Sequence, residues 1–150
     1  MRRDAAGLTL IEILVVVSIA AILLALAVPS FGDASARKRV EGVAGELHTD
    51  LHYAKSQAAA TNQTVTFVTT EHGYTIAGAA TYKTVTTDSK VFLTDAVTVA
   101  FEPHRSFPAA AASIDITHTG SSATLRVSVD AMGSVRTCST NGVVLGFAAC

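Results

Sequence analysis

One uninterrupted apolar run near the N-terminus most constrains how this chain can fold. Residues Ile13 to Val28 form a stretch of sixteen residues without a charge, in which Ser18 is the only polar side chain. A helix needs roughly 20 apolar residues to span a bilayer, and residues 8–11 extend the run to about that length. The sequence therefore predicts a transmembrane helix over residues 8–28.

The composition of the whole chain agrees with such a segment. The 150 residues carry a formal net charge of −1, and the mean hydropathy of +0.42 is high for an ordinary soluble domain of this size. Only 15% of the residues are charged and long charge runs are absent, which excludes a disordered tail. The near-neutral charge gives no overall electrostatic reason to expect nucleic acid as a partner.

Glu12 places a carboxylate at the start of the apolar region. An ionised side chain inside hydrocarbon costs roughly 2.5 kcal/mol or more, so such a residue normally has a partner and a function. The basic leader before it, with Arg2 and Arg3, predicts a cytoplasmic N-terminus and a body on the other side of the membrane. A cleaved signal peptide with a small-x-small site at residues 25–27 is an alternative, and Glu12 argues against it.

The string GLTLIEILVVV at residues 7–17 resembles the class III signal and helix start of type IV pilins and type II secretion pseudopilins. The resemblance implies that a prepilin peptidase cleaves after Gly7 and methylates the new N-terminus at Leu8. It also implies an assembly role for Glu12, the fifth residue counted from Leu8. A buried Glu12 carboxylate is least costly when it forms a salt bridge with the Leu8 amine of its own or an adjoining subunit. Pro29 falls where the family has a proline that kinks the helix.

Three later segments resemble the GspH/FimT group of minor pilins and pseudopilins. They are the helical stretch at residues 46–58, the strand at residues 99–103 and the closing hairpin at residues 129–136. Ser134 stands in this hairpin where the group commonly has Arg. Together with the N-terminal string, these segments span most of the chain.

The spacing of apolar residues predicts that the helix continues beyond Pro29. Steps of three and four residues form one apolar stripe: Val40, Ala44, Leu47, Leu51, Ala54 and Ala58. The opposite face is predicted to carry the charged residues Arg37, Lys38, Glu41, Glu46, Asp50 and Lys55, and the helix to end at Thr61 and Asn62. Gly42 and Gly45 each weaken a helix by up to about 1 kcal/mol relative to Ala, so this helix needs packing against a globular body.

The remainder of the chain is predicted to supply that body as an antiparallel β-sheet. Runs rich in β-branched and aromatic residues predict strands at 64–70, 74–77, 91–93, 97–101, 113–117, 124–129 and 143–147. Hairpin turns are predicted at 71–73 and 130–133, and loops at 78–87 and 107–113. The fold class is therefore α+β, with a long N-terminal α-helix packed against a β-sheet head, as in the pilin fold. The predicted segments are a leader at 1–7, a transmembrane and filament-core helix at 8–28, an amphipathic second half of the helix at 29–62 and a head at 63–150.

Cys138 and Cys150 enclose eleven residues in a part of the chain that is predicted to be periplasmic. Disulfides persist in that oxidising compartment, and the spacing is far from C-x-x-C, which favours a disulfide over a metal or redox pair. The chain-entropy estimate for a loop of this size is on the order of 3 kcal/mol of stability.

No catalytic constellation occurs in the sequence. His48 and His52 have the i, i+4 spacing of a metal-binding pair, but Thr49 stands where a metalloprotease helix needs Glu, and no third ligand is evident. The sequence therefore predicts solvated helix surface at this pair, no metal, no cofactor and no enzymatic activity.

These observations predict a minor pilin or pseudopilin, a structural subunit that helps initiate or cap a type IV pilus or a type II secretion pseudopilus. Its predicted partners are other pilin or pseudopilin subunits, the prepilin peptidase and the bacterial inner membrane, with the head in the periplasm and the final position near the filament tip. Some members of the GspH/FimT group bind DNA, so the alternative is a DNA-binding minor pilin with Arg126 and Arg136 as contacts. A third hypothesis is a secreted binding domain that begins at Val28.

Overall fold

The computed structural model describes residues 9–94, 96–103 and 108–150, with the exception of the side chains of residues 26–30. The predicted cleavage and methylation site, Gly7 and Leu8, lies outside the described residues. Within the chain, contacts divide between Ala34 and Ser35 into two compact units. The second unit, Ser35–Cys150, contains the later part of the helix together with the whole β head.

Helix α1, Leu10–Thr61, has 52 residues and includes position 29. Asn62 follows it with φ of +53°, the left-handed conformation that commonly terminates helices and that Asn tolerates better than most residues. The predicted end of the helix at Thr61 and Asn62 is therefore confirmed. The side chain of Pro29 is not among those that the structure describes, so the kink at Pro29 stays a prediction.

The predicted apolar stripe of the helix is confirmed, because each of its six residues, Val40, Ala44, Leu47, Leu51, Ala54 and Ala58, is fully buried. The predicted charged face is wrong at one position. Asp50 is 6% exposed, because two donors from the head reach its carboxylate.

In the part of the chain that the structure describes, eight strands form two four-stranded antiparallel sheets where the sequence predicted one sheet. The strands are β1 Val65–Thr70, β2 Gly73–Ala77, β3 Thr81–Thr86, β4 Val91–Leu93, β5 Thr98–Phe101, β6 Ala112–His118, β7 Ser121–Val129 and β8 Val135–Ser139. The first sheet has the order β3-β2-β1-β5 and the second the order β4-β6-β7-β8. The predicted α+β fold with an antiparallel β head is confirmed.

The inner faces of both sheets share one core with the helix stripe. Alternate residues along the strands are buried, as expected for sheets with one covered face. In the first sheet, Phe67 and Tyr74 stack with their ring centroids 4.7 Å apart. In the second sheet, Ile114 and Leu125 are fully buried on the inner face. Helix and strand residues belong to a single buried cluster, so the second half of the helix is part of the head.

Two predicted segments are wrong. The predicted loop at 78–87 contains β3, whose alternation is hard to read because Lys83 occupies an inward-facing position opposite Ile76. The predicted strand at 143–147 is wrong, because this segment is irregular. Gly142 and Gly146 adopt φ values of 66° and 92°, which lie outside the strand conformation. Strand β8, and not the segment 143–147, is the last strand of the second sheet.

The predicted disulfide between Cys138 and Cys150 is confirmed, with an S–S distance of 2.02 Å. Cys138 lies in β8, and the segment that contains Cys150 returns to the edge of this strand. The backbone N–H of Ser139 donates to the carbonyl of Ala148 at 2.8 Å, and the N–H of Cys150 donates to the carbonyl of Ser139 at 3.1 Å. The disulfide and these hydrogen bonds fasten the C-terminal segment to β8.

Replacing both Cys138 and Cys150 with Ser is expected to lower the free energy of unfolding by on the order of 3 kcal/mol, because the unfolded chain regains the entropy of an open loop. Thermal unfolding of the full-length protein in detergent, followed by circular dichroism, measures this as a lower Tm. Reduced wild-type protein is the control and should match the variant. Equal Tm values for oxidised wild type and variant would contradict the prediction.

Candidate functional site

Thr9 and Glu12 together form the start of the helix. The hydroxyl of Thr9 accepts a hydrogen bond from the backbone N–H of Glu12 at 3.3 Å, and the carbonyl of Thr9 accepts from the N–H groups of Glu12 and Ile13. Thr9 is thus the N-cap, and Glu12 stands at the third helical position, the spacing of a capping box. The T-x-x-E pattern at residues 9–12 is the sequence signal for this cap, which adds a local role to the assembly role predicted for Glu12.

A carboxylate in the first helical turn is also favoured by the positive end of the helix dipole. Glu12 therefore stabilises the helix start of its own chain by a modest amount, typically about 0.3–1 kcal/mol at an exposed helix end. Any test of Glu12 in assembly has to separate this local effect from contacts with other molecules.

The first turns of the helix expose apolar side chains on every side. Eleven large aliphatic residues between Leu10 and Leu24 are 48–82% exposed, and five of them, Ile13 to Val17, are consecutive. A helix that is apolar all round is normally covered by other protein or by lipid. Among the residues that the structure describes, no helical stretch combines the length and the hydropathy of a membrane span.

Asp50 links the helix to the first sheet through two donors. The Tyr74 hydroxyl donates to Asp50 Oδ2 at 2.7 Å, and Lys83 Nζ donates to the same oxygen at 2.6 Å and to Glu46 Oε1 at 3.1 Å. Burial and the hydrogen bond to Asp50 raise the pKa of Tyr74 above its ordinary value, so the hydroxyl stays protonated. The hydrogen bond to Asp50 also raises the pKa of Lys83. No local sequence pattern predicts this cluster, because its members lie on three separate elements.

Tyr74→Phe is expected to lower the free energy of unfolding by about 1–3 kcal/mol, because the buried Asp50 loses a donor while the ring still stacks on Phe67. Urea unfolding of the full-length protein in detergent measures the loss. Tyr53→Phe on the exposed face of the helix is the matched control and is expected to change the stability by less than about 0.5 kcal/mol. Equal effects of the two substitutions would show that Asp50 does not depend on the Tyr74 hydroxyl.

Arg126 and Arg136 lie on the outer face of the second sheet. In register, Arg126 is opposite Cys138, and Arg136 precedes Cys138 by two residues on the same face of β8. Arg126 makes a two-pronged contact with Asp115 on β6, with Nε–Oδ1 and Nη2–Oδ2 distances of 2.6 and 2.8 Å. This contact raises the pKa of Arg126 and already compensates its charge. The structure thus brings the two arginines to one face, and DNA binding there stays a hypothesis.

His48 and His52 are neighbours on the helix, with ring centroids 5.0 Å apart. His48 Nδ1 lies 3.2 Å from the Thr137 hydroxyl of β8, which ties the helix to the edge of the second sheet. Burial and the proximity of His52 lower the pKa of His48. Within the described residues, no group of three or more His, Cys, Asp or Glu is placed to hold a metal ion.

A long helix that is apolar at its start and carries a two-sheet β head along its second half is the architecture of a pilin-like subunit. The family model described as Type II transport protein GspH matches residues 43–133, and the model of the prokaryotic N-terminal methylation motif matches residues 2–28. The chain therefore belongs to the GspH family of minor pilins and pseudopilins. The family and the fold are those of structural pilins, which are not enzymes.

A solved structure supports the same fold. The type IV minor pilin FimU of Pseudomonas aeruginosa (strain PAO1) is similar with a TM-score of 0.56 and 17% sequence identity, over 67% of this chain and 88% of that chain. At this identity the likeness establishes the fold alone. A comparison with curated protein sequences gave no significant match.

Proposed function

We propose that this chain is a structural subunit that helps initiate or cap a type IV pilus or type II secretion pseudopilus. The observation that carries the proposal is the apolar surface around the start of the helix, where large aliphatic residues are 48–82% exposed. The burial of such a surface is worth about 25 cal/mol per Å². Bundled helices of neighbouring subunits would cover it inside a filament, and lipid would cover it before assembly.

The match to the N-terminal methylation motif supports the processing that precedes assembly. In this proposal, residues 1–7 are a leader that prepilin peptidase removes after Gly7, and Leu8 becomes the methylated N-terminus. Residues 8–28 hold the subunit in the inner membrane, residues 29–62 continue the helix after a kink at Pro29, and residues 63–150 complete the head in the periplasm. The finished subunit lies near the tip of the filament.

The proposed role of Glu12 follows from charge. Cleavage creates an amine at Leu8, and a carboxylate in an apolar bundle is least costly when it contacts such a cation. Apolar contacts between helices carry little information about register, whereas a salt bridge between Glu12 and the Leu8 amine of an adjoining subunit fixes the axial position of both helices.

Gly7→Val is expected to leave an unprocessed precursor in the inner membrane, because the peptidase site needs a minimal side chain at this position. Intact-mass measurement of the membrane-extracted protein checks the result. Wild-type protein should lack residues 1–7 and carry one added methyl group. Normal maturation of Gly7→Val, or retention of Met1 in wild type, would contradict the proposed processing.

Glu12→Ala is expected to be cleaved after Gly7 and to stay in the membrane, but to enter filaments poorly, because the axial register of its helix is lost. Sheared filament fractions are compared between wild type and variant at equal membrane levels.

Glu12→Gln is the matched control for the capping role, since Gln serves at the third position of a capping box as Glu does. A loss of incorporation in both variants, at an unchanged helix content by circular dichroism, assigns the effect to the charge between subunits. Normal incorporation of Glu12→Gln with a loss in Glu12→Ala would assign it to helix capping, and normal incorporation of both would refute the salt bridge.

A further inference from the structure

His48 and His52 stand one turn apart on the helix, beside the edge strand β8 of the second sheet. Their ring centroids are 5.0 Å apart, and the ring planes are inclined by 53°. Two imidazoles that bind one metal ion at about 2.0–2.1 Å have ring centroids about 4.5–5.2 Å apart, depending on the angle at the metal. The observed separation lies in this range, so the helix holds the two rings at the distance that a shared ion requires.

Thr137 of β8 determines which nitrogen of His48 is free. His48 Nδ1 lies 3.2 Å from the Thr137 hydroxyl, which is hydrogen-bond distance. Histidines that bind metals typically donate the N–H of one ring nitrogen to such an acceptor and bind the ion through the other nitrogen. With Nδ1 engaged by Thr137, Nε2 of His48 is the nitrogen left for an ion. The spacing of the histidines does not reveal this contact, because Thr137 is 89 residues away in the chain.

The surroundings of the pair suit an ion from solvent. His52 is exposed and His48 is half-buried. Burial and the proximity of His52 lower the pKa of His48, which favours the neutral imidazole that a metal ion needs. Lys55, two turns beyond His48 on the same face, donates to the carbonyl of Gly133 at 3.1 Å. Its positive charge is thus engaged at the hairpin between β7 and β8.

The number of protein ligands selects the kind of ion. Among the described residues, no third His, Cys, Asp or Glu joins the pair. Structural Zn²⁺ sites normally have four protein ligands, and Ca²⁺ and Mg²⁺ prefer oxygen ligands. Cu²⁺ accepts a tetragonal set of nitrogen and oxygen ligands, and it binds a given site more tightly than the other divalent first-row metals. Two histidine nitrogens and two water oxygens complete such a set.

We propose that His48 and His52 form a binding site for one Cu²⁺ ion, with Thr137 as the positioning residue and water in the remaining positions. The ion clamps one turn of the helix and, through Thr137, links this turn to β8. This proposal replaces the metal-free helix surface that the spacing of the two histidines alone predicts. It goes beyond the proposed role in a filament and does not depend on it.

The test titrates Cu²⁺ into the full-length protein in detergent, purified without a histidine tag. Electron paramagnetic resonance is expected to show one bound Cu²⁺ per chain with two imidazole nitrogens. The Tm is expected to rise, because the ion binds the folded chain more tightly than the unfolded chain. His52→Ala is expected to weaken binding by about tenfold or more and to leave at most one imidazole nitrogen in the spectrum. Circular dichroism checks that this variant keeps its helix.

A double variant, His52→Ala with Tyr53→His, is the matched control. It keeps the number of histidines in the chain but moves one of them by about 100° around the helix, away from His48. We expect it to bind Cu²⁺ as weakly as His52→Ala does. Equal affinity of the wild type and the double variant would overturn the proposal, because any histidine on the surface would then serve.

Two substitutions test the positioning role. Thr137→Val removes the acceptor for Nδ1 and is expected to weaken Cu²⁺ binding by about tenfold, whereas Thr137→Ser keeps the hydroxyl and the affinity. Weak binding in both variants, or unchanged binding in both, would refute the role of Thr137.

The wild type decides the site and the ion. A Cu²⁺ spectrum without two imidazole nitrogens, or equal affinity of the wild type and His52→Ala, would refute the site. Zn²⁺ titrated in the same way is expected to bind more weakly than Cu²⁺. Tighter binding of Zn²⁺ would refute the choice of ion. Each of these results leaves the proposed filament function standing, because none of them measures assembly.

Discussion

The burial of one helix face by two β-sheets is the contact on which the rest of the head depends. Neither sheet can hide its apolar face without the stripe from Val40 to Ala58, and each residue of that stripe is fully buried. The same burial stabilises a helix that Gly42 and Gly45 weaken. Polar links at Asp50 and His48 then fix the helix against one sheet each. The second half of the helix is therefore the element that holds the two sheets together.

Sequence reasoning succeeded where a pattern is local and periodic. The helix stripe repeats every three or four residues, and strands such as β6 and β7 alternate cleanly, so both could be predicted from the sequence. It failed where tertiary contacts place a residue in an environment that its type does not usually occupy. Lys83 and Asp50 look like surface charges, yet they meet each other beneath β3. The segment 143–147 is rich in strand-forming residues, but the glycines on either side of Val144 turn it away from a strand.

The candidate functional site likewise has one part that the sequence predicts and one part that only the structure shows. The resemblance at residues 7–17 predicts the processing position and an assembly role for Glu12, and both stay predictions, because Gly7 and Leu8 lie outside the described residues. The cluster of Asp50, Tyr74 and Lys83 depends on tertiary contacts between three elements, so no local pattern predicts it. Glu12 lies in the first turn of its own helix beside the Thr9 cap, and its role in assembly is a separate proposal.

The order of the strands also has a consequence for the speed at which the head folds. Among the described residues there are six strand pairings, and four of them, including β1 with β2 and β7 with β8, join strands that are consecutive in the chain. Only β1 with β5 and β4 with β6 need a longer loop to close. Because folding rates fall as contacts become more distant in sequence, the hairpins between consecutive strands can close before the helix meets β8, whose Thr137 lies 89 residues from His48. Each hairpin that closes early leaves fewer unpaired strand edges open to other chains while the head is being completed.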